Sequence, residues 1–270
     1  MNEGRRHVAG PKELVSGGEW LYGRNCVEEV LAAGRREASE IVLPPAGPHD
    51  DDQLVRIRDE AHSRRIPVRT MDRARLDKLT RFGHHQGFAV KASAYPYVAL
   101  DEILADAADD ENAIVLVLDH LEDPQNVGSL LRTACAAGVA GVVIPEDRAC
   151  GVTPAVARAS SGGSEHVKVA KVVNLPRALG QLKEAGFWAT ALDFGSDARL
   201  YTEVDFRGRA ALVVGAEGNG VGRLVRESCD FVASLPMPGG FESLNAAVAA
   251  AIAIYEILRQ HSFNTGKGTK

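Results

Sequence analysis

The sequence predicts an α/β protein in two parts: a C-terminal, mostly parallel sheet with helices on both faces, and a small N-terminal α/β/α domain. Three observations lead there. At 270 residues the chain is long enough for one large domain or two small ones. Its composition, 45% hydrophobic and 25% charged, is that of an ordinary globular protein. From residue 113 onward, apolar runs of strand length alternate with helical patterns, the signature of a parallel sheet covered on both faces.

The elements follow in order. Residues 1–18 have no apolar core and are expected to be disordered, with no signal peptide and, given Glu3 and Glu13, no transit peptide. Residues 19–95 form the small domain. Gly23 to Arg36 reads as a helix with Val27, Val30 and Leu31 on one face. EIVLP is a strand, and DDQLVRIRDEAHSRR a helix whose acidic first turn suits its dipole. IPVRTM and QGFAVKA are further strands, with LDKLTR a short helix between them. Residues 96–112, polar, acidic and proline-bearing, make a linker with one helical piece. In the domain 113–260, strands are expected at 113–119, 140–145, 166–170, 187–193, 210–216 and 231–236. Helices are expected near 126–137, 153–161, 175–185 and 221–228, with a last one from Ser243 to Arg259. Residues 261–270 are expected to be a disordered tail.

Several classes are excluded. No run reaches the ~20 apolar residues of a membrane span. Cys26, Cys135, Cys150 and Cys229 lie far apart without C-x-x-C spacing, so no disulfide framework or zinc site is expected, and a reducing cytoplasm is. The pair His84–His85 lacks a spaced partner, so no metal is expected there either. Net charge is −5, but it is unevenly spread. Residues 1–96 hold 16 Lys and Arg against 14 Asp and Glu, and Arg56 to Arg81 packs nine basic residues against four acidic ones. Such a face binds phosphates whatever the global charge, or is simply solvated helix surface.

Three strand ends carry unusual residues, and in such sheets ligands bind beyond the C-terminal ends of strands. The first is LDHLEDPQNVGSLLRTACAAGV, where Asp123 and Pro124 mark a turn, Asn126 can cap, and Arg132 lies further along the helix. The second is VVGAEGNGVG. Its spacing is G-x-G-x-G rather than G-x-G-x-x-G, and Glu217 inside the turn opposes a pyrophosphate. The third is LPMPGGFESLNAAVAAAIAIYE, an irregular loop in which Ser243 or Asn245 caps a long alanine-rich helix. Taken singly, each residue reads as a cap, a turn former or a salt-bridge partner. Taken together, three polar, glycine-rich loops at one end of one sheet define a site.

Those loops carry N-x-G-x-x-x-R-T (Asn126, Gly128, Arg132, Thr133), G-x-E-G-x-G (Gly215, Glu217, Gly218, Gly220) and P-M-x-G-x-x-x-S-L-N (Pro236, Met237, Gly239, Ser243, Leu244, Asn245). In order, they resemble the three signature motifs of the SpoU/TrmH-type RNA ribose 2′-O-methyltransferases of the SPOUT superfamily. Residues 19–95 resemble that family's RNA substrate-binding domain, of the fold of ribosomal protein L30e, through GRNCVEEVL and HHQGFAV. The two-domain form is most similar to enzymes that methylate a guanosine of 23S, large-subunit ribosomal RNA; transfer RNA is the alternative substrate. The resemblance implies S-adenosyl-L-methionine as cofactor, a C-terminal trefoil knot where the pattern alone suggests a Rossmann-like winding, and a homodimer packed through the knotted domain.

By the same resemblance, Gly215, Leu235 and Leu244 hold the cofactor largely through backbone, with Glu217, Gly218, Pro236, Met237 and Asn245 around it. Arg132 resembles the family's catalytic arginine. A guanidinium resists deprotonation, so anchoring phosphate and stabilising the forming alkoxide suit it better than acting as a base, and the proton acceptor stays open. Asn126, Glu217, Ser243 and Asn245 would orient the arginine and the ribose. Arg24, Arg64, Arg65 and Arg69 are the residues expected to contact RNA. Two other classes compete: a non-catalytic RNA-binding protein, against which Arg132 and Asn245 speak, and a nucleotide-dependent oxidoreductase, against which the glycine spacing speaks.

Overall fold

The protein is described by a computed structural model for residues 18–47 and 50–265. Its N-terminal sheet has the order β1-β4-β2-β3, built from β1 (Glu19–Tyr22), β2 (Ala38–Val42), β3 (Val68–Arg69) and β4 (Ala89–Ala92). β4 is antiparallel to β1 and β2, and β3 is parallel to β2. Helices α1 (Arg24–Ala33) and α2 (Asp52–Ser63) bury Val27, Leu31 and Ile57 against one face, with Leu21, Ile41 and Val90. On the other face α3 (Arg73–Leu79) sets Leu76 against Val42 and Ala89. This is the expected α/β/α unit plus β1, a strand too short, at four residues, for periodicity to reveal.

The segment 96–112 is not a loose tether. Its helix α4 (Leu100–Asp106) buries Leu100 and Ile103 in the core of the second domain, and Val98 bridges to Ala170. That second domain is a seven-stranded sheet in the order β7-β6-β5-β10-β8-β11-β9. The strands are β5 (Ile114–Asp119), β6 (Gly141–Pro145), β7 (Val169–Val172), β8 (Trp188–Leu192), β9 (Arg199–Leu200), β10 (Ala210–Gly215) and β11 (Phe231–Ser234). Every pairing is parallel. Two-residue β9 was not expected, and β7 starts later than expected because Gly163–His166 forms a 3-10 turn first.

Both faces are covered. Helices α5 (Pro124–Ala136) and α9 (Ala246–Thr265) pack Leu130, Leu131, Ala250 and Ile254 on one side. On the other, α4, α7 (Leu175–Glu184) and α8 (Arg223–Glu227) contribute Ile103, Leu179, Leu182 and Val225. Each fully buried leucine or isoleucine is worth about 1.5–3 kcal/mol. Helix α9 continues into the expected tail, because Gln260 and His261 are bonded to Val204 and Phe206, which hold the last turns down. Residues 1–17 and 266–270, where disorder was expected, lie outside the described residues.

Strands β5, β6 and β7 step outward as in a Rossmann sheet, but β10, not β8, lies beside β5 on the other side. This corrects the Rossmann-like winding that the alternation alone suggests. The switch point falls between β5 and β10, where Asp119 and Gly215 face one another at the strands' C-terminal ends. The three motif loops leave from this end of the sheet.

The two domains meet through charge. The Arg36 side chain is wholly buried, with Nε 2.9 Å from Glu165 Oε2 and a second ion pair to Glu19. Arg35 Nη1 donates to Val167 O at 2.6 Å, and Arg35 and Arg36 lie over the Tyr95 ring at 5.3 and 5.1 Å. Ala157, from α6 (Pro154–Ala159), packs in the N-terminal core.

Candidate active site

At the start of α5 the capping residue is Asp123, not Asn126: its carboxylate accepts from Gln125 N and Asn126 N at 3.1 and 3.3 Å. The Asn126 side chain is therefore free to reach elsewhere. Its Nδ2 donates to Glu217 Oε1 at 2.9 Å, and its Oδ1 accepts from Asn245 Nδ2 at 2.7 Å. Asn245 Nδ2 also donates to Glu217 Oε1 at 2.6 Å. The other amide atom, Asn245 Oδ1, accepts from Ala247 N and Val248 N at 3.0 and 3.2 Å and so caps α9. One side chain is both cap and site residue. Ala246 N donates to Glu217 Oε1 at 3.4 Å, which seats the carboxylate on the positive end of a 20-residue helix. That end is thus filled by the protein's own anion and offers no place to a phosphate.

Two glycines make the approach possible. A Cβ on Gly215 would sit 2.0 Å from Gly220 O, so only glycine lets the second loop fold back on its strand. A Cβ on Gly128 would meet the Ala159 Cβ at 2.4 Å, so this motif glycine packs α5 on α6.

Beside the cluster lies a cavity of about 470 Å³. Gly215, Glu217, Gly218, Leu235, Met237 and Leu244, all expected at the cofactor site, line it, as does Ser243. Sequence reasoning missed Asp193 and Phe194, which follow β8 and also line it. Their signal was available: they stand at the C-terminal end of a parallel strand, where ligands bind. The walls are apolar and backbone, with carboxylates and no basic side chain, which suits a nucleoside without phosphates and with positive charge. Pro236 is exposed in the same loop.

Arg132 is not in this cluster. It lies six residues beyond Asn126, about 9 Å along the axis at 1.5 Å per residue. Its Nη1 donates to Ser161 Oγ at 3.1 Å. The residues expected to contact RNA are partly committed: Arg24 pairs with Asp51, Arg64 Nε with Glu60 at 2.6 Å, and Arg69 Nε with Glu40 at 3.1 Å. The Arg65 side chain is exposed and has no hydrogen bond or ion pair among the described residues, while its backbone N donates to His62 O at 3.0 Å.

A parallel α/β sheet with a cavity free of basic side chains beyond the C-terminal ends of β8, β10 and β11, joined to a small α/β/α domain, is the layout of a ligand-binding α/β domain with an appended second domain. Residues 113–255 match the SpoU rRNA Methylase family, and residues 20–98 match a family described as RNA 2′-O ribose methyltransferase substrate binding. A Bacillus subtilis protein assigned to the TrmH family of tRNA/rRNA methyltransferases, YacO, is 39% identical over 90% of this chain and 96% of its own. A Staphylococcus aureus protein of the same assignment is 38% identical over 89% and 95%. Among solved structures, an AdoMet-bound rRNA methyltransferase from Sinorhizobium meliloti superposes with a TM-score of 0.74 at 22% identity, over 90% of this chain and 87% of that one. The SpoU methyltransferase AviRb from Streptomyces viridochromogenes gives 0.76 at 22%, over 92% and 91%. This chain belongs to the SpoU/TrmH family of RNA methyltransferases, and its fold is that of the SPOUT enzymes.

Proposed function

We propose that this protein transfers a methyl group from S-adenosyl-L-methionine to the 2′-hydroxyl of a guanosine ribose in large-subunit ribosomal RNA, acting in the cytoplasm as a homodimer. The observation that carries the reading is the Asn126–Glu217–Asn245 cluster, whose Glu217 lines a cavity that has carboxylates and no basic side chain. The cofactor supplies a methyl activated by a sulfonium charge. Gly215, Leu235 and Leu244 would hold it, with Met237 and Phe194 giving apolar surface and Glu217 giving negative charge. Asn126, Asn245 and Ser243 would orient the ribose, while Arg132 binds phosphate and stabilises the charge that develops on the 2′-oxygen.

Ribosomal RNA is favoured because the rRNA methyltransferase from Sinorhizobium meliloti matches both domains. A tRNA-modifying enzyme from Aquifex aeolicus, A. aeolicus TrmH/SpoU, covers only 62% of this chain. The dimer rests on α9, whose Val248, Ile252 and Tyr255 remain 49%, 38% and 55% exposed in a single chain. They recur at helical spacing on one stripe, and apolar stripes of that kind are covered in obligate assemblies. The test is methylation of deproteinised ribosomal RNA and of transfer RNA, each digested to nucleosides and read by mass spectrometry. 2′-O-methylguanosine in the ribosomal digest is expected; methyl appearing only in the transfer RNA digest moves the substrate, and methyl on a base overturns the reading.

A further inference from the structure

The turn after α3 leaves an aromatic ring almost wholly in water: Phe82 is 79% exposed. Its backbone is as unusual as its exposure. Arg81 and Phe82 are consecutive non-glycine residues in left-handed conformation, at φ 52° and 60°, costly for bulky side chains and kept only where the surroundings enforce it. Here they do. Phe82 N donates to Asp77 O at 2.6 Å, and Gly83 N to Thr80 O at 3.0 Å. The Asp77 carboxylate is bonded to His85 Nε2 at 2.9 Å, and His85 Nδ1 accepts from Gly87 N at 2.9 Å. Gly83 packs so closely on the Tyr22 ring that a Cβ there would come within 2.4 Å of it. The turn is held rigid, and what it presents is an uncovered phenyl face.

Positive charge surrounds this ring in the chain. Residues 73–82 carry Arg73, Arg75, Lys78 and Arg81 against Asp77 alone. The side chains of Arg75, Lys78 and Arg81 are exposed, with no hydrogen bond or ion pair among the described residues. The loop also reaches the second domain. His84 O accepts from Arg158 Nε at 3.2 Å, Arg158 O accepts from Ser161 N at 3.0 Å, and Ser161 Oγ holds Arg132. On its other flank Gln86 Oε1 accepts from Arg24 N at 3.4 Å. The ring's loop thus links two arginines expected to meet RNA phosphates.

We propose that Phe82 is a platform on which an unpaired base of the RNA substrate stacks, with Arg75, Lys78 and Arg81 taking the neighbouring phosphates. The proposal rests on RNA being the substrate, as argued above. An aromatic face beside free cations matches a nucleotide, which offers a flat π-system and a negative charge a few bonds apart. A protein partner would call for apolar area around the ring, whereas Lys78, Arg81 and Gly83 are its neighbours in the chain. Bases within an A-form duplex are stacked on one another and present no free face, so the base must come from a loop, a bulge or an end. A rigid turn holds the ring ready, so little ordering is lost on binding.

The test measures RNA binding by the full-length protein, with deproteinised ribosomal RNA and transfer RNA in parallel. Phe82→Gly removes the ring and relieves its backbone, so the variant should melt no lower than the wild type. Phe82→Gly and Phe82→Leu should each bind about 5- to 150-fold more weakly, the usual loss when a stacking aromatic is removed, with the salt dependence unchanged. Phe82→Tyr should keep wild-type affinity. Arg75→Ala should instead flatten the salt dependence. Phe82→Trp, read against the Trp20 and Trp188 background of the wild type, should lose emission as RNA binds. Wild-type affinity in Phe82→Gly or in Phe82→Leu overturns the proposal. So does a Phe82→Gly protein that falls apart into monomers while holding RNA normally, since the ring then serves a protein contact. Wild-type enzyme that binds RNA through Phe82 but forms no 2′-O-methyl nucleoside overturns the methyl-transfer reading and leaves the stacking platform standing.

Discussion

Asn245 uses its two amide atoms in opposite directions: Oδ1 on the backbone of α9, Nδ2 on Glu217 and Asn126. The division makes its roles separable. Asn245→Asp keeps a good cap but replaces the donor with a second carboxylate beside Glu217, so transfer should be lost with the melting temperature nearly unchanged. Asn245→Ala should lose transfer and also about 0.5–2 kcal/mol of stability, seen by denaturant titration. Arg132→Ala, away from the cofactor cavity, should leave cofactor affinity within a few-fold by calorimetry while abolishing transfer. The thiols make a further residue-scale prediction. Burial pushes Cys26 and Cys229 up to about 12 and raises Cys135 and Cys150 as well. A raised thiol stays protonated at pH 8 and so lacks the nucleophilic thiolate. Iodoacetamide at that pH should label the native protein slowly, Cys26 and Cys229 least, and all four rapidly once it is unfolded.

At the scale of elements, the sequence shows type and order well because each strand at the centre of the second sheet is buried on both faces and reads as an uninterrupted apolar run. What it hides is instructive. Alternation cannot say that β10 slips between β5 and β8, since strand order depends on pairings far apart in the chain. Likewise Asn126 as cap and Asn126 as site residue look alike in sequence; only Asp123, three residues earlier, decides between them. The motif loops were legible because their glycines and amides serve one geometry, whereas Asp193 and Phe194 follow a strand with no motif of their own. Helix α9 has its own test. Ile252→Asp places a charge on the exposed stripe, and sedimentation equilibrium should then find a monomer near 28.8 kDa with methyl transfer lost. In the turn after α2, the Arg65 side chain has no partner among the described residues, while that of Arg64 is held by Glu60. Arg65→Glu should thus weaken RNA binding and flatten its dependence on salt, by roughly 0.7–0.9 in the log–log slope for each phosphate that is no longer neutralised.

For the whole molecule, the joint between domains is the feature with most at stake. Arg36 and Glu165 are both closed off from water, and removing one member of such a pair leaves the other charge uncompensated, at a cost of about 3–5 kcal/mol. Arg36→Ala should therefore lower the denaturation midpoint by far more than Arg56→Ala, whose pair with Glu28 is at the surface. The same joint meets the segment that holds Arg132, since Ser161 lies just before the Gly163–His166 turn.

A joint of this kind turns the enzyme into a ruler. With Arg35, Arg36 and Tyr95 holding one domain onto the other, the proposed RNA face around Arg65 and the proposed transfer site would stand at a set separation. An RNA docked on the first domain then presents to the second whichever ribose lies at that length along its surface. Choice of nucleotide would then follow distance first and base identity second. Lengthening the stem between the docking element and the methylated nucleotide by one base pair should move the modification to a neighbouring ribose or abolish it. A merely tethered pair of domains would follow the original nucleotide instead.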